Sequence, residues 1–263
     1  MKSVALIGRG AIGGVIVSWL NEGRIPGCRL VGVLARTKND PFVTNSLDDI
    51  LCRKPDLVIE AASQTAAREY LPRILEASCD CLLLSVGVLS DPSFERKCRE
   101  AILRNRSRLM VSTGAIGGLD LLQAMQLTET LRSVNLVSTM HAERLVQPWM
   151  GALLTKQLHT CDQEFLAFEG TAREAASKFP TLTNVAATVG LATLGLDATR
   201  VQLIAHPVSD RKTHAIHAVS DLSDLRLCLE NRVSCDNPHT SALTPMSIVR
   251  YLLNAERSFV VGV

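Results

Sequence analysis

The sequence predicts an α/β protein: an N-terminal Rossmann domain on a parallel sheet, then a second α+β domain carrying a mixed or antiparallel sheet. Three observations support that prediction. Up to about residue 112, short apolar runs alternate with stretches of helical period, the pattern of βαβ units. The first such pair is joined by a glycine-rich turn, Gly8-Arg9-Gly10-Ala11-Ile12-Gly13. Beyond residue 112, strand-like runs follow one another without intervening helices, which indicates an α+β arrangement.

Taken in order, Lys2–Ile7 reads as a strand, Ala11–Asn21 as a helix and Arg29–Leu34 as the second strand. Ser46 caps a short helix, with Asp49 three residues on as an acidic form of the capping box. Asp56–Glu60 is strand, Thr65–Ala77 helix and Cys81–Ser85 strand. Pro92–Arg104 is a helix with Asp91 as its cap and Pro92 at its first position, and Leu109–Ser112 completes the series. In the second half Gly117–Gln126 is helical, and Val134–Met140 and Glu164–Glu169 are extended. Small-residue helices follow at Ala172–Lys178 and Asn184–Leu194, then strands at Arg200–Ala205, Thr213–Val219 and Leu225–Leu229, and a last helix at Pro245–Ala255. The expected domains are 1–112 for dinucleotide binding and 113–239 for substrate, catalysis and dimerisation, with 240–263 packing back on the first.

Composition narrows the function classes. At 263 residues, 47% hydrophobic and 21% charged, the chain has ample material for a buried core. A net charge of +2 and only 4% aromatic residues provide neither the basic field nor the stacking platforms of a nucleic-acid binder. No apolar run reaches the roughly 18 to 20 residues of a membrane span, and the apolar start breaks at Gly8, too early for a signal peptide. The expected location is the cytoplasm. The eight cysteines include no CxxC pair, so free thiols are expected and no metal site.

The glycine motif gains meaning from its place between an apolar strand and an amphipathic helix. Gly8 permits the tight turn, Gly10 lets the backbone approach a pyrophosphate, and Gly13 lets helix and strand pack closely. The amides of Ala11 and Ile12 at the helix start face the phosphates. An acidic residue ending the second strand would bind the ribose 2′-hydroxyl of NAD. This strand ends Leu34-Ala35-Arg36-Thr37-Lys38, where Arg36 and Lys38 suit the 2′-phosphate of NADP. A solvated basic turn that tolerates both cofactors is the other reading.

Several segments, in order along the chain, resemble the L-aspartate dehydrogenase family: Gly8–Gly13, Ser85–Asp91, Gly114-Ala115-Ile116-Gly117-Gly118-Leu119-Asp120, Phe179-Pro180, Asn184–Thr188, His214 and Asn237-Pro238-His239-Thr240-Ser241. The resemblance spans residue 4 to about 250. It implies reversible NAD(P)-dependent oxidative deamination of L-aspartate through iminosuccinate, by a homodimer assembled through the second domain. It places Ala115 and Asn184 at the cofactor, His214 as the active-site histidine, and Thr240 and Ser241 at the substrate. Read from the residues alone, Asn184 opens a helix and serves equally as its N-cap.

His214 lies in Lys212-Thr213-His214-Ala215-Ile216-His217-Ala218-Val219, where alternation sets it on the opposite face from His217 and on the same face as Lys212. An imidazole with an ordinary pKa of about 6.5 suits proton transfer near neutrality, and a neighbouring ammonium lowers that value. His214 and Lys212 are therefore the catalytic candidates. Three positions depart from the family: Lys212 stands where it usually has asparagine, Met140-His141-Ala142 where it has Lys-Pro-Pro, and His206-Pro207 where it has Asp-Pro. Two substrate carboxylates need cationic or multi-donor partners. Lys212, Arg211, His141, Arg144, Thr240 and Ser241 are placed for this, with solvated surface the simpler reading for Arg144 and Arg211. The alternatives to aspartate oxidation are another amino or imino acid on the same scaffold, or an NAD(P)-binding regulator without catalysis.

Overall fold

The computed structural model describes residues 1–36, 42–232, 241–255 and 257–261. Its backbone divides into two compact units, Met1–Gly114 with Thr244–Val263, and Ala115–Leu243.

In the first unit six strands form one sheet: β1 (Lys2–Ile7), β2 (Cys28–Leu34), β3 (Val43–Thr44), β4 (Leu57–Glu60), β5 (Asp80–Leu83) and β6 (Leu109–Val111). Their order is β3-β2-β1-β4-β5-β6, and every pairing is parallel. This is the doubly wound Rossmann order, whose chain reversal beside β1 opens a crevice at the strands' carboxyl ends. The helices α1 (Ala11–Asn21), α2 (Leu47–Cys52), α3 (Gln64–Glu76) and α4 (Pro92–Asn105) make the crossovers. Strand residues Val4, Leu6, Leu57, Ile59 and Leu82 share a core with Ile16 and Leu20 of α1. The last helix of the chain adds Ile248, Val249 and Leu252 to that core.

The two caps read from sequence take different forms. Asp91 accepts from the amides of Ser93 and Phe94 and holds the first turn of α4. At α2 only half of the expected capping box exists: Ser46 accepts from Asp49 N, but the Asp49 carboxylate accepts from Thr44 Oγ1 at 2.6 Å instead of reaching back. A hydroxyl on β3 competes for it. β3 itself, two residues long, is too short to show a period.

The second unit carries the mixed sheet. Strands β7 (Leu131–His141), β8 (Phe165–Thr171), β9 (Arg200–His206), β10 (Arg211–Ser220) and β11 (Asp224–Arg232) pair in the order β11-β10-β7-β9-β8. Only β7 and β9 run parallel; the other neighbours are antiparallel. Alternation is strict on β9 and β10 and from Val134 onward on β7, so one face is buried and the other half-exposed. Four helices belong to this unit: α5 (Leu119–Leu127), α6 (Ala152–Thr160), α7 (Ala172–Lys178) and α8 (Asn184–Ala192). Buried alanines on α7 and α8 keep that pair slim. The sequence reading missed α6, which buries only Leu158 and so shows no apolar stripe. The chain closes with α9 (Thr244–Asn254), back in the first unit.

Candidate active site

The turn after β1 has the shape of a phosphate cradle. Gly8 stands at φ +95°, and a Cβ there would lie 2.7 Å from the Ala61 carbonyl oxygen. A Cβ on Gly13 would run into the Gly8 carbonyl oxygen, whereas one on Gly10 would meet nothing within 4 Å. Gly8 and Gly13 are therefore required by the fold, and Gly10 faces open space. No side chain caps α1 and no acid sits in its first turn. Its leading amides, among them those of Ala11 and Ile12, are thus left for an anion. These features fit a dinucleotide pyrophosphate. Arg36 is exposed just past the end of β2; Lys38 lies outside the described residues.

Beside this turn, Glu60 ties the ends of β4 and β5 together. It is 1% exposed, and its carboxylate accepts from the amides of Ala62, Ser63 and Ser85 and from the Ser85 hydroxyl, all at 2.9–3.0 Å. Burial pushes its pKa up, and those four hydrogen bonds pull the other way. The segments Glu60–Ser63 and Ser85–Gly87 are thus one braced rim at the carboxyl edge of the sheet.

In the second unit, β10 presents Lys212 and His214 on the buried face, with His217 on the other. His214 pairs directly across the ladder with Ser138 of β7, whose Oγ lies 2.8 Å from His214 Nδ1. That bond orients the ring. Burial, and then the charge of Lys212, lower the imidazole pKa to about 3. His214 is consequently neutral at rest near pH 7; the lowering expected from its Lys212 neighbour is present, with burial the larger cause. Along β7 the buried positions run Val134, Leu136, Ser138, Met140. The hydroxyl at a core parity position was the available signal for Ser138.

Lys212 is 8% exposed, and among the described residues its Nζ donates to the Leu182 carbonyl alone, at 3.3 Å. Burial, and then repulsion by Arg144, bring its pKa down to about 8. Arg144 sits in the 3-10 turn Ala142–Leu145 that follows β7, and its Nη1 is buried without a hydrogen-bond partner. The surface reading of Arg144 is therefore corrected. Arg211 does belong to the surface, paired with Glu230 at 2.7 Å. His141 accepts from Glu143 N through Nδ1, closing the same turn.

Comparison with known proteins gives these features a family. Residues 120–255 match the family model described as aspartate dehydrogenase, C-terminal, and residues 8–112 match the NAD binding domain of homoserine dehydrogenase. The L-aspartate dehydrogenase of Archaeoglobus fulgidus is 32% identical over 258 residues, covering 98% of this chain and 99% of its own. The chain belongs to the L-aspartate dehydrogenase family. The Pseudomonas aeruginosa member is 34% identical, with 97% of each chain covered. The crystal structure of aspartate dehydrogenase from Thermotoga maritima superposes with a TM-score of 0.77 at 25% identity, covering both chains completely.

Against that family the remaining candidates fall as follows. Ala115 is buried, and its carbonyl accepts from Asn231 Nδ2 at 3.2 Å. Asn231 stands opposite Lys212 in the β10–β11 ladder; it lies beyond the strand end read from sequence and was missed. Asn184 is the first residue of α8, not its cap, since Thr183 holds the cap position. The Ser241 hydroxyl accepts from Leu243 N at 3.2 Å, a local turn contact. Thr240, with Asn237–His239, lies outside the described residues. Among the described residues no group of three or more histidine, cysteine, aspartate or glutamate side chains could hold a metal ion, and no helix is long and apolar enough to cross a membrane.

Proposed function

We propose that this chain is an NAD(P)-dependent L-aspartate dehydrogenase that oxidatively deaminates aspartate through iminosuccinate, reversibly. The observation that carries the reading is the buried Lys212–His214 pair on β10, set within residues that match the aspartate dehydrogenase C-terminal model. Bound nicotinamide supplies the hydride acceptor in the oxidative direction and the donor in the reductive one. Gly8, Gly10, Gly13 and the amides of Ala11 and Ile12 would hold its pyrophosphate, and the family resemblance assigns Ala115 and Asn184 to the cofactor. Arg36 favours NADP by offering a guanidinium to the 2′-phosphate.

His214 handles the protons. With Nδ1–H donated to Ser138, Nε2 is the acceptor. It takes the proton of the water that attacks the imine, and returns one to the departing nitrogen. In reverse it protonates the leaving hydroxyl of a carbinolamine. Burial, and then the charge of Lys212, set its basicity, and Ser241 and Thr240 add hydroxyl donors for the substrate.

The chain works as a homodimer in the cytoplasm. The half-exposed sheet face bearing Val137, Ile204, Ala215 and Val219 supports the first assignment. Cys79 and Cys98, buried thiols whose pKa burial pushes up to about 12 and about 11, suit a reducing compartment.

The test is a panel of 2-oxo acids with ammonia and either NADH or NADPH, followed at the nicotinamide absorbance. Oxaloacetate should be reduced fastest, with NADPH serving at least as well as NADH. Turnover confined to another oxo acid would reassign the substrate. No turnover with any would leave a cofactor-binding protein without this catalysis.

A further inference from the structure

Two cations of the second unit, one buried and one partly so, stand without a carboxylate among the described residues. Several arginines of the chain do find carboxylates: Arg68 with Asp91, Arg108 with Asp80, Arg173 with Asp197 and Arg211 with Glu230, all at 2.6–2.8 Å. Arg144 and Lys212 do not. Among the described residues no carboxylate pairs with either, although Lys212 is almost wholly buried and Nη1 of Arg144 is shut off from solvent without a partner. Thr213 pairs with Thr139, so Lys212 lies beside the end of β7 from which the turn carrying Arg144 continues; beyond the effect of burial, Arg144 weakens the Lys212 ammonium and Lys212 weakens the His214 imidazolium.

A buried cation without a counter-ion is costly, and one repelled by a half-buried guanidinium is worse placed still. Such a pair is stable when an anion completes it. The donors define the anion: one free guanidinium N–H and an ammonium with a single long bond to Leu182 can each take one oxygen of a carboxylate.

We propose that Arg144 and Lys212 form a carboxylate subsite that holds the side-chain carboxylate of a dicarboxylic amino or imino acid, and so select diacids over monoacids of the same length. The proposal rests on the dehydrogenase reading for the rest of the substrate's placement. The subsite has a second consequence. A carboxylate between the two cations cancels the charge that suppresses His214, so the proper substrate raises the proton affinity of the base that acts on it. A monocarboxylate cannot do this.

The experiment titrates succinate and butyrate calorimetrically into the cofactor-loaded enzyme and into Arg144→Gln, Lys212→Met and Arg144→Lys. The ratio of succinate to butyrate affinity should fall at least tenfold in R144Q and in K212M, and R144K should keep most of it. An unchanged ratio in either neutral variant would overturn the subsite. Circular dichroism identifies folded variants, and because the two residues sit on different elements, either folded neutral variant decides the matter. A kinetic arm compares oxaloacetate with 2-oxobutyrate, where the ratio of kcat/KM should fall by a similar factor. If the wild type turns over neither acid, the dehydrogenase reading fails, while the succinate titration still decides the subsite.

Discussion

At the scale of the residue, His214 shows how burial and a neighbouring charge divide the control of a base. Its strand parity was legible, because alternation in Lys212–Val219 separates His214 from His217 without any knowledge of tertiary contacts. Its basicity was not. The Ser138 hydroxyl that orients the ring comes from 76 residues away, and burial, the larger cause of the low pKa, comes from the whole unit. Arg144 was misread for a related reason: a turn position carries no period, so nothing local reveals that one guanidinium nitrogen is shut in. These causes set the mutant outcomes. His214→Ala should retain cofactor affinity and lose roughly 10²- to 10⁴-fold in kcat, while His217→Ala loses far less; equal losses would indicate damage to β10 rather than to a base. Lys212→Asn removes the smaller of the two causes. The neutral imidazole is the active base, so activity is lost as pH falls through its pKa from the resting value of about 3. That acid limb should move upward in the variant, yet stay below the ordinary histidine range because burial persists. Proton NMR titration of the imidazole checks both the direction and that ceiling, and an unmoved pKa would separate Lys212 from His214.

At the scale of the element, the turn from β1 to α1 was the most legible part of the chain. A strand of one period, three glycines at fixed spacing and a helix of another period are all local signals. The less legible elements lack such signals. β3 is two residues long, α6 offers no stripe, and the capping box at α2 is opened by Thr44, a competitor on another element. Within the glycine turn the structure separates roles that the motif merges. Gly13→Ala drives a Cβ into the Gly8 carbonyl, so it should cost about 1–3 kcal/mol of stability as overpacking does and lower the melting temperature. Gly10 has a clear 4 Å around its missing Cβ and an extended backbone. Gly10→Val should therefore melt close to the wild type and keep its circular-dichroism spectrum, while cofactor affinity falls by at least tenfold in a fluorescence titration. If G10V binds NADPH normally, the pyrophosphate does not lie on this turn.

At the scale of the whole molecule, alternation tells which residues of a sheet share a face, but not which face is covered. In the second unit the inward face is the more apolar by sequence, since on β7, β9 and β10 its polar members are Ser138, Lys212, His214 and Ser220. The face that turns inward carries Lys212 and His214 beside Ile216 and Ala218, and the other carries Val137, Ile204, Ala215 and Val219. Hydrophobicity chooses the inward face in spite of its two basic side chains. They go inside with it, where their basicity is tuned, and a smaller apolar set is left half-exposed. The register joins that set into one band, since Ile204 pairs with Thr139, Thr139 with Thr213, and Ala215 with Val137, with exposed Leu166 beside Ile204 at the β8 edge. A continuous band of this kind on a sheet calls for cover, which a second copy of the same face would provide through a two-fold axis. Ile204→Asp sets a carboxylate in the middle of the band without touching the buried face. The wild-type protein should sediment as a dimer, and the variant as a monomer with an unchanged circular-dichroism spectrum. A wild type that is monomeric at every concentration tested, or an I204D protein that stays dimeric, would remove this face from the assembly.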